Sequence, residues 1–479
     1  MKWIVLLSYP FFLFPCLLTG QTPKLHPIFE EILELNFKNF TSHVNPVASN
    51  DYESLYYSNM YDILSLLFQE NKDQYEHLKK RENQRLKWLN DQEKETALKG
   101  FVAAEIKLQW AFVHLKYGRE WPAFWGLRKS QKLINENIAR YSNFEANQRT
   151  KGALQLIFGM VPKNRQWAFR LFQLSGTVKA GINSLEKVEQ KTPLAYESSV
   201  IQILIQTHLL ENHDQARVLL LSLPYADKPL TSYFKILVAF KSNQGLKARQ
   251  LLQESKHALP YQSYFLGETY FQEGRYPEAV RHYERFIAKQ TEGNYIKDAY
   301  TKIALSQRFI NNLSGYRSAL KKAKTIANPS TEIDKNAGKL IEQMAESNDQ
   351  LLQLRFALDG GFNERAQQLI KHLSEQNITP LENIELMYRK AQYELLLQHS
   401  DAAIKAYQHV LQQEYGNSSP YFIPNSALQL GLIYQRRGNE EQAAQYFNQV
   451  LNFDDHPYKS SLDAKAQIAI YLLQASDDK

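Results

Sequence analysis

Apolar residues recur at helical spacing along most of the chain. Between residues 26 and 89, Phe29, Ile32, Leu33 and Leu35 form a stripe, followed by Phe37 and Phe40. Residues 52–67 hold Leu55, Tyr56, Met60, Ile63, Leu64, Leu66 and Leu67, too many for a helix with one wet face, so this helix is expected to be buried. A long helix is predicted over residues 93–117, with Ala97, Phe101, Ala104, Ile106, Leu108, Ala111 and Leu115 inward. A loop at 118–121 leads through Pro122 to another helix with Phe124, Trp125, Leu127, Leu133, Ile134 and Ile138. Residues 152–187 are less regular. From residue 192 the pattern becomes a countable repeat, marked by Ala216, Ala248, Ala279, Ala319, Ala366, Ala403 and Ala443 at intervals of 32, 31, 40, 47, 37 and 40 residues. The longest interval holds Asn328-Pro329-Ser330 and a long helical pattern over 332–358, where a register break or an enlarged helix is expected to bend the array. A closing helix is predicted over 460–474, with Ala464, Ala466, Ile468 and Leu472 apolar; it can cap the array.

The clearest unit runs over residues 262–287. Leu266, Gly267 and Tyr270 share one helix face, Gly274 closes that helix, and Ala279, Tyr283 and Phe286 line a second one. Gly274 suits the left-handed residue that often follows a helix, and Pro277 falls in a first turn, where a missing N–H costs little. The pattern resembles the tetratricopeptide repeat, a helix–turn–helix unit of 34 residues that must stack on neighbours to bury its apolar face. Ala391, Ala403, Tyr407 and Val410 repeat it, and Ala427, Leu430, Gly431, Tyr434, Gly438, Ala443, Phe447 and Val450 match nearly throughout. The resemblance is strong over about 262–451, moderate over 199–252, and only periodic before that. It implies an all-α fold, a right-handed TPR-like helical-hairpin solenoid. Residues 101–185 also resemble, loosely, the N-terminal half of eukaryotic tetratricopeptide proteins linked to inclusion-body clearance; no function is carried across from these.

In the repeat family the first helix of each unit faces the concave side. The resemblance therefore implies that partners meet Tyr261, Tyr264, Glu268, Phe271 and Gln272 in one unit. It implies Glu385, Tyr388, Gln392, Leu395 and Leu396 in another, and Asn425, Leu428, Leu432, Gln435 and Arg436 in the last. Members that hold a peptide's terminal carboxylate use Lys and Asn where this chain has Tyr264 and Glu268, Tyr388 and Gln392, and Leu428 and Leu432. That carboxylate clamp is missing. The mixture of aromatic, apolar and polar groups suits a peptide, a helix or a protein surface.

Composition adds the setting. With 44% hydrophobic and 22% charged residues, the 479-residue chain is folded, and its length requires several domains or a growing solenoid. The net charge of +7 is mild for this length. The densest basic stretch, KKRENQRLKW at 79–88, reads as a solvated helix face, and no nucleic-acid motif accompanies it. Residues 1–20 have Lys2, an apolar run to Leu18 broken by Pro10 and Pro15, and then Thr19-Gly20, which is the pattern of a secretory signal. Lipid attachment at Cys16, the one cysteine, fits poorly beside Pro15, and after cleavage no disulfide could form. The expected organisation is a signal peptide at 1–20, a helical region at 21–190, a repeat solenoid at 191–459 and a cap and tail at 460–479. The expected location is the periplasm or the outer envelope.

Catalytic motifs are missing: no HExxH, GxxxxGK[ST], GxSxG or CxxC occurs. The glycines at 152, 159, 176 and 181 lack the Gly-Lys-Ser/Thr of a phosphate loop, and Asp454-Asp455-His456 reads as a loop rather than a metal site. No cofactor and no enzyme activity are expected. The expected function is an exported scaffold that binds a protein or peptide partner. The alternative is a solute-binding protein of the outer membrane, with Trp110, Trp121 and Trp125 stacking on sugar; packing between large helices also explains those tryptophans.

Overall fold

The computed structural model describes residues 25–37, 51–161, 169, 172, 174–188, 193–290, 293–326, 332–344, 347–413, 420–454 and 456–474. Among these residues the chain is helical, with 23 helices and no strand. The signal-like segment and Cys16 lie outside them.

The amino-terminal helices are α1 (Pro27–Leu33), α2 (Tyr52–Gln69), α3 (Lys72–Asn90), α4 (Ala97–Lys116), α5 (Glu120–Arg140), α6 (Ala146–Gly159) and α7 (Val178–Glu186). The next hairpins are α8 (Pro193–His208) with α9 (His213–Ser222), α10 (Pro229–Lys241) with α11 (Gly245–Glu254), and α12 (Gln262–Glu273) with α13 (Tyr276–Lys289). Then α14 (Ile296–Phe309) pairs with α15 (Leu313–Thr325), and a lone α16 (Glu332–Gln343) follows. The last hairpins are α17 (Asp349–Asp359) with α18 (Asn363–Ser374), α19 (Pro380–Leu396) with α20 (Ser400–Leu411), and α21 (Phe422–Arg436) with α22 (Glu440–Asn452). They are closed by α23 (Lys459–Gln474).

One backbone device makes the hairpins. Glu70, Gly118, Glu211, Asn243, Gly274, Asn311, Gly361, Gln398 and Gly438 all have φ between 50° and 88° and end the first helix of a pair. At Gly274 the amide donates to Phe271 O (3.1 Å) and the next amide to Tyr270 O (2.9 Å), which satisfies carbonyls the helix end would leave open. Five residues beyond Gly118, Glu211, Asn243, Gly274, Gly361, Gln398 and Gly438 stand Ala123, Ala216, Ala248, Ala279, Ala366, Ala403 and Ala443, each 0% exposed. Beyond Asn311 the fifth residue is Tyr316, so Ala319 sits three positions out of register with the other anchors. The same turn at Gly118 shows that repeat-like hairpins begin before residue 192, where the sequence offered only periodicity.

The small residues of the first helices do not bring two backbones together, as close packing of small residues would suggest. A ring fills the space instead. A Cβ on Gly267 would lie 2.8 Å from the Tyr283 ring, and one on Gly431 2.5 Å from the Phe447 ring. Ala391 and Tyr407 stand in the same relation, since 283 − 267, 447 − 431 and 407 − 391 are all 16.

The amino-terminal helices share the core of the repeats, and one apolar cluster runs from Phe29 to Phe356 across residue 190. Phe29 packs on Tyr196 (6.4 Å) and Tyr225 (5.9 Å). Arg149 on α6 lies between Glu105 on α4 (2.5 Å) and Glu197 on α8 (2.9 Å), all three fully buried.

The break after α15 turns the array. Asp334 on α16 accepts from the amides of Tyr295 (2.9 Å) and Asp298 (3.0 Å), so α16 caps the start of α14 where a further repeat would otherwise stack. The chain then re-enters against earlier units. Phe356 of α17 meets Phe271 of α12 at 4.7 Å, and the Gly245 amide donates to Gly360 O at 2.9 Å. Asn243 Nδ2 donates to Leu358 O (3.2 Å) and Asp359 O (2.9 Å). The last helix, α23, reaches back to the α8–α9 corner, where Lys465 pairs with Glu211.

Candidate functional site

The curl leaves a cavity of about 1210 Å³ between the α8–α9 corner, the turns at 241–244 and 358–363, the ends of α19 and α21, and α23. That is somewhat above the range of small-molecule pockets, about 300–1,000 Å³. Its walls are polar. They carry the cations Arg217, Lys241, Arg436 and Lys465, the carboxylates Glu211, Asp214 and Asp359, and His208 and His213. Lys465 pairs with Glu211, Arg217 with Asp214, and Arg355 lies 3.9 Å from Asp359. Among the described residues no carboxylate lies within ion-pair distance of Lys241 or Arg436.

The corner is electrostatically tuned. Burial alone would push the Glu211 carboxyl up; the Lys465 ammonium beside it outweighs this and holds it below the usual range. His208 is held well below 6.5 by burial first, then by Lys241, Lys465 and His213. His213 is lowered too, burial outweighing the pull of Glu211. Both imidazoles are neutral at pH 7. His213 Nδ1 and the Tyr407 hydroxyl are buried with no hydrogen-bond partner among the described residues.

The expected partner-contacting residues divide sharply. Gln392, Gln435 and Arg436 line the cavity, with Leu395, Leu396 and Leu432 beside them. Tyr264 (3% exposed), Phe271 (1%) and Tyr388 (1%) are inside the protein, which corrects the expectation that they face a groove. The Tyr264 hydroxyl donates to Asp298 (2.6 Å), and the Tyr388 hydroxyl accepts from Asn425 (2.7 Å). Phe271 lies under Phe356 of the returning half. Glu268 takes Lys302 at 2.7 Å and the Tyr283 hydroxyl, so it serves an internal network. The half-buried Tyr261 donates its hydroxyl to Phe68 O (3.2 Å), and its ring packs on Tyr295 (4.9 Å). The concave face of this unit is covered by α2 and α17. His208, Glu211, His213, Lys241, Tyr407 and Lys465 had no site signal in the sequence.

The tryptophans also divide. Trp110 is fully buried and donates to Asn59 Oδ1 (3.0 Å), while Trp121 and Trp125 are exposed. No group of three or more His, Cys, Asp or Glu that could hold a metal occurs among the described residues, and no described helix is long and apolar enough to cross a membrane.

Fold and cavity define an all-α solenoid of helical hairpins, curled so that its last helix meets the turn between its eighth and ninth. Two family profiles, each described as Tetratricopeptide repeat, match residues 263–294 and 424–456, that is α12–α13 and α21–α22. These two hairpins are tetratricopeptide repeats, within an all-α, TPR-like solenoid. Repeats of this family generally mediate protein–protein interaction and are typically non-enzymatic. No curated protein matches the chain.

Proposed function

We propose that this chain is an exported, non-enzymatic scaffold of the cell envelope that holds a polar segment of a protein partner in its central cavity. The observation that carries this reading is the cavity itself. Gln392, Gln435 and Arg436 meet there with Lys241, and the buried Tyr407 hydroxyl and His213 Nδ1 await partners. Unpaired buried polar atoms are costly, and a peptide backbone or polar side chain would satisfy them. A net excess of one positive charge, four cations less three carboxylates, favours a segment bearing a carboxylate. The amino-terminal pattern of Lys2, apolar run and Thr19-Gly20 supports export.

The test is affinity capture from detergent-solubilised envelopes with the intact chain and with the combined Lys241→Ala, Gln435→Ala and Arg436→Ala variant. A partner held by the first and lost by the second, at equal helicity, supports the cavity. A partner held equally by both refutes it.

A further inference from the structure

The outer side of α5 carries a second surface that the cavity does not use. Its buried face is Ala123, Phe124, Gly126, Leu127, Ser130, Ile134 and Asn137. Opposite lie Trp121, Trp125, Arg128, Lys129 and Lys132, spaced 4, 3, 1 and 3 residues apart, which is one face of a helix. Trp121 is 67% exposed and Trp125 48%. Large aromatic side chains seldom stand in water in this way without a partner. Phe172, 37% exposed, joins them at 6.0 Å from Trp125 and 5.1 Å from Phe124. The rings are therefore held as a group by the core residue Phe124, which also meets Trp121 (6.3 Å) and Trp125 (5.5 Å). The Arg128 guanidinium lies 5.2 Å from the Trp125 ring and 5.6 Å from that of Phe172.

We infer that this face docks the protein on an anionic phospholipid surface. Trp rings with one wet edge settle at the headgroup level of a bilayer, and Arg and Lys beside them meet lipid phosphates. The charge on the face is complementary to such a surface. Arg128 and Lys129 have no carboxylate within ion-pair distance among the described residues, and Lys132 has only an exposed contact at 3.7 Å to Glu136. Arg119 at the start of the helix, 59% exposed in its side chain, is partly offset by an exposed contact at 3.7 Å to Glu76. A carbohydrate platform would pair the rings with carboxylates and amides for sugar hydroxyls; here the nearest charged partner of the rings is a guanidinium. This surface is separate from the cavity, so the inference goes beyond the scaffold reading and does not depend on it.

The experiment is co-sedimentation of the full chain with vesicles of phosphatidylcholine mixed with phosphatidylglycerol, and with vesicles of phosphatidylcholine alone. Tryptophan quenching by brominated lipid reads the depth of insertion. The intact chain is expected to bind the anionic vesicles, with quenching, and to bind the neutral ones weakly. Removing one cation, in Arg128→Ala or Lys129→Ala, is expected to weaken binding about fivefold, the equivalent of ~1 kcal/mol per basic residue near an anionic surface. The Trp121→Ala, Trp125→Ala double variant is expected to lose the quenching and most of the binding. Both positions are exposed, so unchanged circular dichroism will show that the fold is kept. Three results overturn the inference: equal binding to the two vesicle types, binding by the double variant equal to that of the intact chain (which would place attachment elsewhere, such as the apolar stretch before Leu18), and quenching by a soluble oligosaccharide without vesicle binding. Capture of the partner by the double variant should be unaffected, which keeps this test separate from that of the cavity.

Discussion

Arg149 sits where four helices meet, and its neighbours define a charge problem with a definite answer. One guanidinium faces two carboxylates, Glu105 and Glu197, and all three side chains are fully buried. Glu105 is better supplied, since it also accepts from Thr150 Oγ1 (2.5 Å) and Gln109 Nε2 (3.1 Å). Glu197 has the Tyr56 hydroxyl at 3.5 Å and an Oε1 with no hydrogen-bond partner. Burial, together with the charge of Glu105, raises the Glu197 carboxyl well above its usual range despite Arg149. Below that raised value Glu197 keeps its proton and the cluster is neutral. Two substitutions follow. Arg149→Leu strands the Glu105 carboxylate and should cost about 3–5 kcal/mol, as for other broken buried pairs. Glu197→Gln copies the protonated acid in shape and polarity and should cost less than about 1 kcal/mol at pH 5.

The pH dependence sharpens this prediction. A carboxyl whose folded pKa is raised binds more protons folded than unfolded, so its stabilisation is complete below about 4.5 and declines as pH rises toward the folded value. Between pH 5 and 7 the wild type should therefore lose ground to Glu197→Gln, by at most about 1.4 kcal/mol per pH unit. Urea unfolding followed by circular dichroism at pH 5, 6 and 7 measures it. A Glu197→Gln variant as damaged as Arg149→Leu, with a gap from wild type that does not move with pH, would refute the protonated assignment.

Three further outcomes are expected. Gly361→Ala places a Cβ on Asn243 O at a φ of 68°, so it should loosen the contact between the 243–245 and 358–362 turns, lower the melting temperature, and speed hydrogen exchange at Gly245; wild-type protection there would contradict this. His208, held neutral by burial beside Lys241 and Lys465, should make the closure weaken as pH falls below 6.5. Its folded pKa is depressed, so acid drives the unfolded corner first, and His208→Gln should flatten the dependence of α23 hydrogen exchange between pH 7 and 5. Tyr264→Ala should lower stability by about 3–5 kcal/mol, as for other large core truncations, and so act on folding before any partner; an unchanged denaturation midpoint would contradict the packing seen here.

Much of the fold was legible because its causes are local. A turn residue with positive φ, an alanine five positions later and a ring sixteen positions beyond a small residue are short-range relations, and they appear in the sequence at α12–α13, α19–α20 and α21–α22. The loop at 118–121 is legible as a loop but not as a repeat turn, because Leu127 stands where a ring marks the clear units. The unit at α14–α15 misled for the opposite reason: Ala319 is a buried alanine of the right kind, three residues from the place its turn dictates. Of the expected partner-contacting residues, Gln392, Gln435 and Arg436 line the cavity, since the later units turn their first helices toward it.

The sequence by itself determined the helical hairpins, their order and the place of the break near 326–349. Apolar spacing and turn chemistry act over one or two helices, so no knowledge of distant partners is needed. Only the tertiary structure decided which faces stay open. Whether Tyr264 and Phe271 point at a partner or at Phe356 depends on α16 occupying the next stacking position and sending α17 back across α12. Whether His208 and Glu211 belong to a site depends on Lys465, 254 residues away. Such contacts follow from the accumulated turn of the whole array, and no short-range pattern encodes them.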